Sequence, residues 1–293
     1  MSQVDSGIAV VTGTSTGIGF ATALHLARRG FRVFAGMRNL DKAGPLRTAA
    51  AADGLALEIV ALDVTSSDSV ARAFAEVEKS GPVAVLVNNA GIGGAGPLEL
   101  VPEAEHRQMF ETNYFGAIRC IQAVLPGMRA RQRGAIVNVT SVVGIVATAN
   151  QVPYSASKWA LECVGEALAH ELFRFGVRVV NVEPGVIMTN IFENSAESTR
   201  YVKTSPYQPV MRRNGKLYSA GFRVAAQPQQ VAEAIHESIT TPHYKLRWPV
   251  GTDAQGFAAG RPKLTDEEWI AMGADLSDED YNRRFFEYFG IRL

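Results

Sequence analysis

The chain is poor in cysteine, and that scarcity limits what kind of protein it can be. Cys120 and Cys163 are the only two in 293 residues, which is too few for a disulfide framework. Both lie in segments of helical pattern, where we expect buried free thiols. Because free thiols suit a reducing compartment, the sequence predicts a cytoplasmic protein.

Long apolar runs and net charge are also missing. No stretch of about 18 apolar residues occurs, and the N-terminus has neither the basic nor the apolar region of a secretory signal. The 29 basic and 29 acidic residues cancel, so no overall field favours nucleic acid or an anionic membrane. The five histidines and two cysteines show no metal-ligand spacing. We therefore expect small-molecule partners, with no nucleic acid, no metal and no integral membrane segment.

What the chain does have is an alternation of short β-rich segments with helical patterns. The predicted strands are Gly7–Thr12, Phe31–Ala35, Leu57–Leu62, Val83–Val87, Ala135–Val139 and Val177–Val182, with a last edge strand at Lys245–Val250. The predicted helices include Gly17–Arg29, Ser66–Lys79, Glu103–Arg131, Tyr154–Phe175 and Gln227–Ile239. Near-continuous apolar strands are typical of a parallel sheet covered on both faces. The order predicts a single-domain α/β fold, a doubly wound Rossmann-type parallel sheet with helices on both faces.

The first strand leads into the first helix through a glycine-rich turn that contains Gly13, Gly17 and Gly19. Glycines let a backbone approach a pyrophosphate closely, and the following helix N-terminus offers N–H groups and a positive dipole end. The spacing is G-x-x-x-G-x-G. A strand before the turn and a helix after it favour a dinucleotide site over an ordinary glycine-rich turn.

The same turn also matches the G-x-S-x-G elbow of a serine hydrolase, with Ser15 as the nucleophile. An α/β serine hydrolase needs an oxyanion donor from an earlier strand's loop, and only a few residues precede this turn. It also needs a downstream acid and histidine, and His170, His236 and His243 lie in no recognisable setting. The hydrolase is therefore an alternative that this order of elements disfavours.

A phenol and an ammonium lie one helical turn apart, at Tyr154 and Lys158, and so share one helix face. Free tyrosine has a pKa of about 10, and a nearby cation would favour the phenolate. Ser141, which ends a strand-like segment, could donate a hydrogen bond to a carbonyl oxygen. If the three side chains converge, they can polarise C=O or deprotonate an alcohol. A tyrosine and a lysine four apart can also be an ordinary half-exposed pair, so the rest of the chain must support the prediction.

Polar and small residues follow two other predicted strands. Asp63 and Val64 follow the third strand, where Asp63 could accept a hydrogen bond from an adenine amino group. The sequence from Asn88 to Gly91 follows the fourth, where small residues let the backbone pass close to a nucleotide sugar. Ligands of open α/β sheets bind at these carboxyl ends of strands. Asn113 is a poor helix former inside a helical segment, so it marks either a kink or an exposed position.

In combination these residues resemble the motifs of the short-chain dehydrogenase/reductase family. The matching motifs, in order, are Thr12-Gly13-x-x-x-Gly17-Ile18-Gly19, Asn88-Asn89-Ala90-Gly91, Asn113, Ser141, Tyr154-x-x-x-Lys158 and Pro184-Gly185. The resemblance covers about residues 7 to 190. More loosely, the length and the arginine in the second turn resemble the branch that contains 17β-hydroxysteroid and retinol dehydrogenases.

The resemblance implies roles for individual residues. Tyr154 would be the acid/base, Lys158 would lower its pKa and hold the nicotinamide ribose, Ser141 would orient the substrate oxygen, and Asn113 would anchor a proton-relay water. Together with Thr16 and Arg38, which bear on the choice of cofactor, these residues complete the predicted cofactor-binding set. The set is Gly13, Thr16, Gly17, Ile18, Gly19, Arg38, Asp63, Val64, Asn89, Ala90, Gly91, Tyr154, Lys158, Pro184, Gly185, Ile187 and Thr189. The family also implies a homodimer or homotetramer that pairs the helical segments beginning at Glu103 and Tyr154.

The end of the second strand bears on the choice of cofactor. NAD-binding sheets usually place an acid about 20 residues past the glycines, to bind the ribose 2′-hydroxyl. Here Arg38 and Asn39 occupy that region, and the nearest acid, Asp41, is expected to face solvent. Arg38 could bind a 2′-phosphate, with the Thr16 hydroxyl as a second donor, or it could be a solvated surface residue. We predict that NADP(H) is preferred and that NAD(H) is possible.

The C-terminal part exceeds what the basic fold needs. Residues 1–251 should form the Rossmann-type domain, with a substrate-covering loop at about 190–226, where no clear period appears. Aromatic and methionine side chains in this loop suit an apolar substrate, or they pack back on the core. Residues 252–293 form an extension with two short helices that begin after Thr265 and Ser277. Its aromatic residues, such as Phe285 and Phe289, should dock on their own subunit or a neighbouring one.

We therefore predict an NADP(H)-dependent oxidoreductase that transfers hydride between nicotinamide and an alcohol or carbonyl substrate. The expected substrate is apolar and steroid-, retinoid- or ketone-like. The alternatives are a non-redox enzyme of the same fold, acting by dehydration or epimerisation, and a non-catalytic dinucleotide sensor. The presence of Ser141, Tyr154 and Lys158 together favours chemistry over sensing.

Overall fold

The computed structural model describes residues 3–55, 57–189, 191 and 198–293. The described strands form a seven-stranded sheet in the order β3-β2-β1-β4-β5-β6-β7, and every neighbouring pair is parallel. The strands are β1 (Ile8–Thr12), β2 (Arg32–Met37), β3 (Leu57–Ala61), β4 (Val83–Asn88), β5 (Gly134–Val139), β6 (Val177–Pro184) and β7 (Arg247–Val250). The prediction of a doubly wound parallel sheet is confirmed.

The helices follow the strands in the predicted order, with ends that differ by a few residues, except that the predicted helix Glu103–Arg131 is divided in two and Gly44–Ala52 was not predicted. They are α1 (Gly17–Arg28), α2 (Gly44–Ala52), α3 (Ser67–Glu78), α4 (Glu103–Phe110), α5 (Gly116–Arg131), α6 (Val152–Leu172), α7 (Gln208–Arg223), α8 (Pro228–Thr240), α9 (Thr252–Gly260), α10 (Asp266–Ala271) and α11 (Asp278–Phe289). A π-helical turn, Glu111–Phe115, joins α4 to α5, and a 3₁₀ turn, Val142–Gly144, follows β5.

Two apolar cores cover the two faces of the sheet, because successive residues of a strand point to opposite sides. On β1, Val11 belongs to the core that contains Leu26 of α1 and Ile235 of α8. Its neighbour Val10 belongs to the core that contains Phe74 of α3, together with side chains of α5 and α6. A strand buried on both faces must be apolar throughout, which explains why β1 shows no alternation.

The sheet reverses its strand order between β1 and β4. In such sheets the loops after the two neighbouring strands run in opposite directions and leave a crevice at the carboxyl ends. The glycine-rich turn after β1 and the segment after β4 therefore meet at this crevice.

A third core joins the C-terminal residues to the rest of the molecule. Phe257 of α9 packs against Phe285 and Phe289 of α11, with ring centroids 5.7 and 4.7 Å apart. The same core includes Val142 and Val143 of the 3₁₀ turn after β5. The predicted docking of the aromatic residues thus takes place on their own chain, although Phe286 remains 42% exposed. The caps also form as predicted, because the Thr265 and Ser277 hydroxyls accept the N–H groups of Glu268 and Asp280.

The region predicted as a substrate-covering loop contains a helix of 16 residues, α7. The helical period of apolar residues was not apparent in the sequence, because the buried face of α7 carries the polar side chains Arg213 and Asn214 beside Met211. Residues 190 and 192–197 of the predicted loop lie outside the described residues.

Three smaller findings complete the fold. Cys120 is buried as expected, but Cys163 is exposed, so the prediction of two buried thiols is wrong for the second cysteine. None of the described helices is both long enough and apolar enough to cross a membrane. Within the described ranges, His, Cys, Asp and Glu side chains form no group of three or more that could hold a metal ion.

Candidate active site

A cavity of about 980 Å³ lies at the carboxyl ends of β1 to β6. Every residue predicted for the site lines this cavity except Gly19 and Asn113. The fold therefore brings the predicted catalytic residues and the predicted dinucleotide-binding residues to one place.

The glycines of the turn after β1 are required by the backbone and its neighbours. Gly13 and Gly17 have φ values of +70° and +60°, which L side chains rarely adopt. A Cβ on Gly13 would lie 2.8 Å from the Ala90 Cα atom, and one on Gly17 would lie 3.1 Å from Thr189. A Cβ on Gly19 would lie 2.3 Å from the Gly13 carbonyl oxygen, so Gly19 serves helix packing and does not line the cavity.

Hydrogen bonds tie the end of β4 to the end of β1. The Thr12 hydroxyl accepts the N–H groups of Asn89 and Ala90 at 3.0 and 2.9 Å. The Asn89 amide donates to the carbonyl oxygens of Thr12 and Gly13 at 2.8 and 3.1 Å. These bonds fix the turn ahead of α1, whose first N–H groups have no partner within the helix. The open turn and the helix N-terminus fit the pyrophosphate of a dinucleotide.

The end of β2 presents cations to the same cavity. Arg38 is exposed and lines the cavity together with Lys42, which was not among the residues predicted from the sequence. Asp41 is exposed as predicted, and its N–H donates to the Asn39 side chain at 2.9 Å. Lys42 could have been predicted from its position four residues after Arg38, and the structure places it on the 3₁₀ helix Leu40–Ala43.

Asp63 and Val64 lie on the cavity wall after β3. The Asp63 carboxylate accepts the N–H and the hydroxyl of Thr65 at 3.0 and 2.7 Å, and its own N–H donates to Ser69 at 3.0 Å. These contacts hold the Asp63 carboxylate in place at the wall predicted for the adenine.

Tyr154, Ser141 and Lys158 converge on the other side of the cavity. The Ser141 hydroxyl accepts the Val143 N–H at 3.3 Å and donates to the Pro184 carbonyl oxygen at 3.4 Å, and it lies close enough to Tyr154 to lower the pKa of that phenol. The Lys158 ammonium donates to the Val139 carbonyl oxygen at 2.9 Å and lies 5.8 Å from the Tyr154 ring centroid. The arrangement places two hydroxyl groups and a cation around one point, as polarisation of a carbonyl requires.

The charges of this group differ from the expectation based on the family. Burial raises the pKa of Tyr154 to about 12, and the neighbouring Ser141 hydroxyl only partly opposes this effect. Burial also lowers the pKa of Lys158 to about 8, against the opposing effect of the Glu162 carboxylate. The net shift of the Tyr154 pKa is therefore upward, and the lowering by Lys158 that the family resemblance implies stays a prediction. The physical reason is that loss of water penalises both the phenolate and the ammonium.

Asn113 is neither exposed nor part of the cavity wall. It is 1% exposed and lies in the π-helical turn between α4 and α5, so the kink predicted as one alternative takes this form. Its side chain accepts the Ile92 N–H at 2.8 Å and donates to the Ile92 carbonyl and the Ser157 hydroxyl, both at 3.0 Å. Asn113 therefore holds the segment after β4 against α6, and its role in anchoring a water stays a prediction.

Pro184 and Gly185 continue β6 into the cavity, followed by Ile187 and Thr189. The buried Asp253 of α9, which sequence reasoning missed, accepts the Val186 N–H at 2.7 Å. A Cβ on Gly185 would lie 2.1 Å from this carboxylate. Asp253 thus shapes the segment predicted to contact the nicotinamide carboxamide.

Several residues beside Tyr154 were not predicted from the sequence. The Thr148 hydroxyl donates to the Gln151 side chain at 2.7 Å, and the Gln151 amide donates to the Tyr218 hydroxyl. All three line the cavity, together with Phe257 and Ile291 of the C-terminal residues. Thr148 and Gln151 lie three residues apart, but Tyr218, Phe257 and Ile291 come from distant parts of the chain that meet them only in the folded protein.

The serine hydrolase alternative lacks its histidine. Ser15 lines the cavity, but none of the described residues around it is a histidine. His236 instead packs against His25 between α8 and α1, with ring centroids 5.3 Å apart. The turn after β1 therefore holds no catalytic triad among the described residues.

Comparison with known proteins gives a consistent result. The family model for short chain dehydrogenases matches residues 7–200. Retinol dehydrogenase 8 of Bos taurus is 39% identical over 255 residues, which cover 81% of this chain and 79% of that protein. Estradiol 17-beta-dehydrogenase 1 of Rattus norvegicus is 36% identical over 262 residues, which cover 84% and 74%. A crystal structure of a short-chain dehydrogenase from Streptomyces avermitilis matches with a TM-score of 0.79 at 34% identity, covering 94% of this chain and 100% of that one.

Proposed function

Because this chain belongs to the short-chain dehydrogenase family, we propose that it interconverts an alcohol and a carbonyl compound with NADP(H). Family membership supports a pyridine-nucleotide-dependent redox reaction. The observation that carries the finer proposal is the placement of Ser141 and Lys158 beside Tyr154, in the same cavity as the glycine turn. Intact acid–base groups favour this function over a dinucleotide sensor.

The protein's own groups supply the proton chemistry. A bound nicotinamide would give or accept the hydride at carbon. In reduction, Tyr154 donates its phenolic proton to the substrate oxygen, while the Ser141 hydroxyl hydrogen-bonds the same oxygen. With its pKa raised by burial to about 12, Tyr154 carries that proton at neutral pH. The Lys158 ammonium stabilises the phenolate that remains, and in oxidation the phenolate takes the alcohol proton.

Arg38 and Lys42 support the choice of NADP(H). Both line the cavity beside the glycine turn, and so does Thr16. Two cations and a hydroxyl can hold a 2′-phosphate, whereas an NAD-specific site would present a carboxylate there. Asp41 is the acid nearest in sequence, and it is exposed. NAD(H) remains a usable but weaker cofactor under this proposal.

The part of the cavity beside Tyr154 supports an apolar substrate. Its wall includes Met211, Leu217, Phe257 and Ile291. Two of the relatives are named for retinol and estradiol, which supports a large apolar alcohol or ketone. The polar groups in this wall, such as Gln151 and Tyr218, would orient the substrate.

We also propose that the protein is a cytoplasmic homodimer or homotetramer. Phe115 between α4 and α5, and Val152 and Trp159 on α6, are 46%, 41% and 47% exposed. Large apolar side chains exposed on neighbouring helical segments favour a subunit interface. The free thiols of Cys120 and Cys163 are consistent with a reducing compartment.

A spectrophotometric assay tests the function. Purified protein with NADPH is screened against ketones, aldehydes, retinal and estrone, and loss of NADPH absorbance is followed. We expect turnover of at least one apolar carbonyl compound, and the reverse reaction with its alcohol and NADP⁺. Tight NADPH binding without turnover of any member of the panel would favour the sensor.

A further inference from the structure

The chain leaves β6 along the wall of the cavity, between the proposed proton-transfer groups and the glycine turn. At one end of this segment the Ser141 hydroxyl donates to the Pro184 carbonyl oxygen at 3.4 Å. At the other end Thr189 lies against Gly17, where an added Cβ would come within 3.1 Å of it. A dinucleotide that has its pyrophosphate at the turn and its reacting ring beside Ser141 must therefore place the nicotinamide along residues 184–189.

A buried carboxylate lies against this segment. Asp253, in the first turn of α9, is 5% exposed and lines the cavity. Its Oδ2 atom accepts the Val186 N–H at 2.7 Å, and its Oδ1 atom accepts the Ala254 N–H at 2.9 Å. A Cβ on Gly185 would lie 2.1 Å from Oδ1, and one on Gly251 would lie 2.7 Å from it. The two glycines thus leave the space in which the carboxylate packs directly against the backbone.

No cation balances this carboxylate within the described part of the chain. Its partners there are backbone N–H groups, and no lysine, arginine or histidine side chain pairs with it. Burial raises the pKa of Asp253, while the N–H groups, that of Val186 first, stabilise the charged form and oppose this effect. The positive end of the α9 dipole also favours the charge. The protein therefore stabilises the negative charge without neutralising it.

The two forms of the proposed cofactor differ in charge at this part of the cavity. An oxidised nicotinamide ring carries one positive charge, whereas a reduced ring is neutral. A buried negative charge nearby attracts the oxidised ring and leaves the reduced ring almost unaffected, because little water screens the interaction. The Lys158 ammonium acts in the opposite direction, so the effect of Asp253 is measured by removing its charge alone.

We propose that Asp253 supplies a buried negative charge to the nicotinamide site and stabilises the bound oxidised cofactor relative to the reduced one. The inference rests on the proposed function, since it concerns the same cofactor in the same cavity. Its consequence is that Asp253 lowers the reduction potential of the bound cofactor, which makes bound NADPH a stronger hydride donor. The charge therefore favours reduction of the carbonyl compound over oxidation of the alcohol.

Binding of the two cofactor forms tests this inference without turnover. The Kd values of NADP⁺ and NADPH are measured by calorimetry near neutral pH for wild type, Asp253→Asn and Asp275→Asn. The first variant removes the charge but keeps the side-chain volume and an oxygen that accepts the Val186 N–H. The second is the control for net charge, because Asp275 is exposed.

A single charge in a partly dry site changes an ionic equilibrium by about tenfold. We therefore expect the ratio of the NADP⁺ Kd to the NADPH Kd to rise about tenfold in Asp253→Asn and to stay at the wild-type value in Asp275→Asn. If Asp253→Asn does not fold, Asp253→Ser, which is also uncharged and keeps one acceptor, should give the same rise.

A purely structural role of Asp253 would weaken binding of both forms equally. An unchanged ratio in the folded variant, or an equal rise in Asp275→Asn, would therefore overturn the charge effect and leave the proposed function intact. Failure of wild type to bind either form would refute the proposed function itself.

Discussion

Lys158 lies beside the ring of Tyr154, with its ammonium nitrogen 5.8 Å from the ring centroid. The ammonium is hydrogen-bonded to the Val139 carbonyl, at the end of the strand that leads to Ser141. Burial raises the pKa of the phenol and lowers that of the ammonium. The fold thus favours a protonated phenol beside a lysine whose pKa, about 8, lies below its ordinary value.

Tyr154→Phe should abolish turnover and leave cofactor binding nearly unchanged. The change removes the proton donor but keeps the ring, and general acid–base groups contribute about 10²- to 10⁴-fold. We expect kcat on a verified substrate to fall by that range, while NADPH titration by fluorescence gives the wild-type Kd. A Phe variant that kept wild-type kcat would refute the proton-donor role.

The pH dependence of kcat/KM should follow Lys158 in the free enzyme. In the reductive direction the rate needs charged Lys158 and protonated Tyr154, whose pKa values are about 8 and about 12. We therefore expect a plateau near neutral pH and a decline of about tenfold per pH unit above about 8.

Glu162→Gln should move this decline to lower pH. The Glu162 carboxylate raises the pKa of Lys158, so its removal lets the ammonium lose its proton earlier. Glu166→Gln is the matched control, because Glu166 lies one turn further along α6 and its side chain is 64% exposed. If the alkaline decline of kcat/KM did not shift in Glu162→Gln, or shifted equally in both variants, this electrostatic effect would be excluded.

Arg38→Asp should reverse the cofactor preference. Wild type is expected to have a lower KM for NADPH than for NADH, because Arg38 can pair with the 2′-phosphate. The new carboxylate would repel that phosphate and accept a hydrogen bond from the ribose 2′-hydroxyl of NADH. Arg47→Asp, on α2, serves as a control for the change in net charge. Unchanged KM values in Arg38→Asp would leave Arg38 without a cofactor role.

The packing of α1 on α8 should weaken in acid. Burial lowers the pKa values of His25 and His236 from 6.5, and the charges of nearby groups, including Arg29, add to the effect. The unfolded chain then binds more protons than the folded one. This contribution to stability is complete above about pH 6.5 and is lost as the pH falls towards the lowered values. Urea unfolding should show that the free energy of unfolding falls less between pH 7 and pH 5 in His25→Asn than in wild type. The exposed control His243→Asn should behave like wild type.

Trp159→Glu should dissociate the proposed oligomer. Trp159 is 47% exposed on α6, and a carboxylate at a subunit contact would be costly to bury. Light scattering should give a dimer or tetramer for wild type and a smaller mass for the variant. Leu98→Glu, at a position 57% exposed outside the proposed contact, should keep the wild-type mass. A monomeric wild type at micromolar concentration would contradict the proposal.

Some of these features follow from residues close together in sequence. Gly13 and Gly17 adopt positive φ because the turn between β1 and α1 requires it. Tyr154 and Lys158 share a helix face because helical residues four apart always do. The hydroxyl caps of Thr265 and Ser277 start α10 and α11 for an equally local reason. Local sterics and hydrogen bonding involve few neighbours, so a short stretch of sequence is enough to predict them.

Only the tertiary structure decided how deeply each group is buried and what it meets there. From the sequence, Asn113 could have been exposed. In the structure it is buried and hydrogen-bonded to Ile92 and Ser157. The pKa of Tyr154 rises because several elements together exclude water from it, a condition that the neighbouring Lys158 could not reveal. Ile291 reaches the cavity from the end of the chain. Burial depends on how distant segments pack against each other, and no local pattern of residues specifies that.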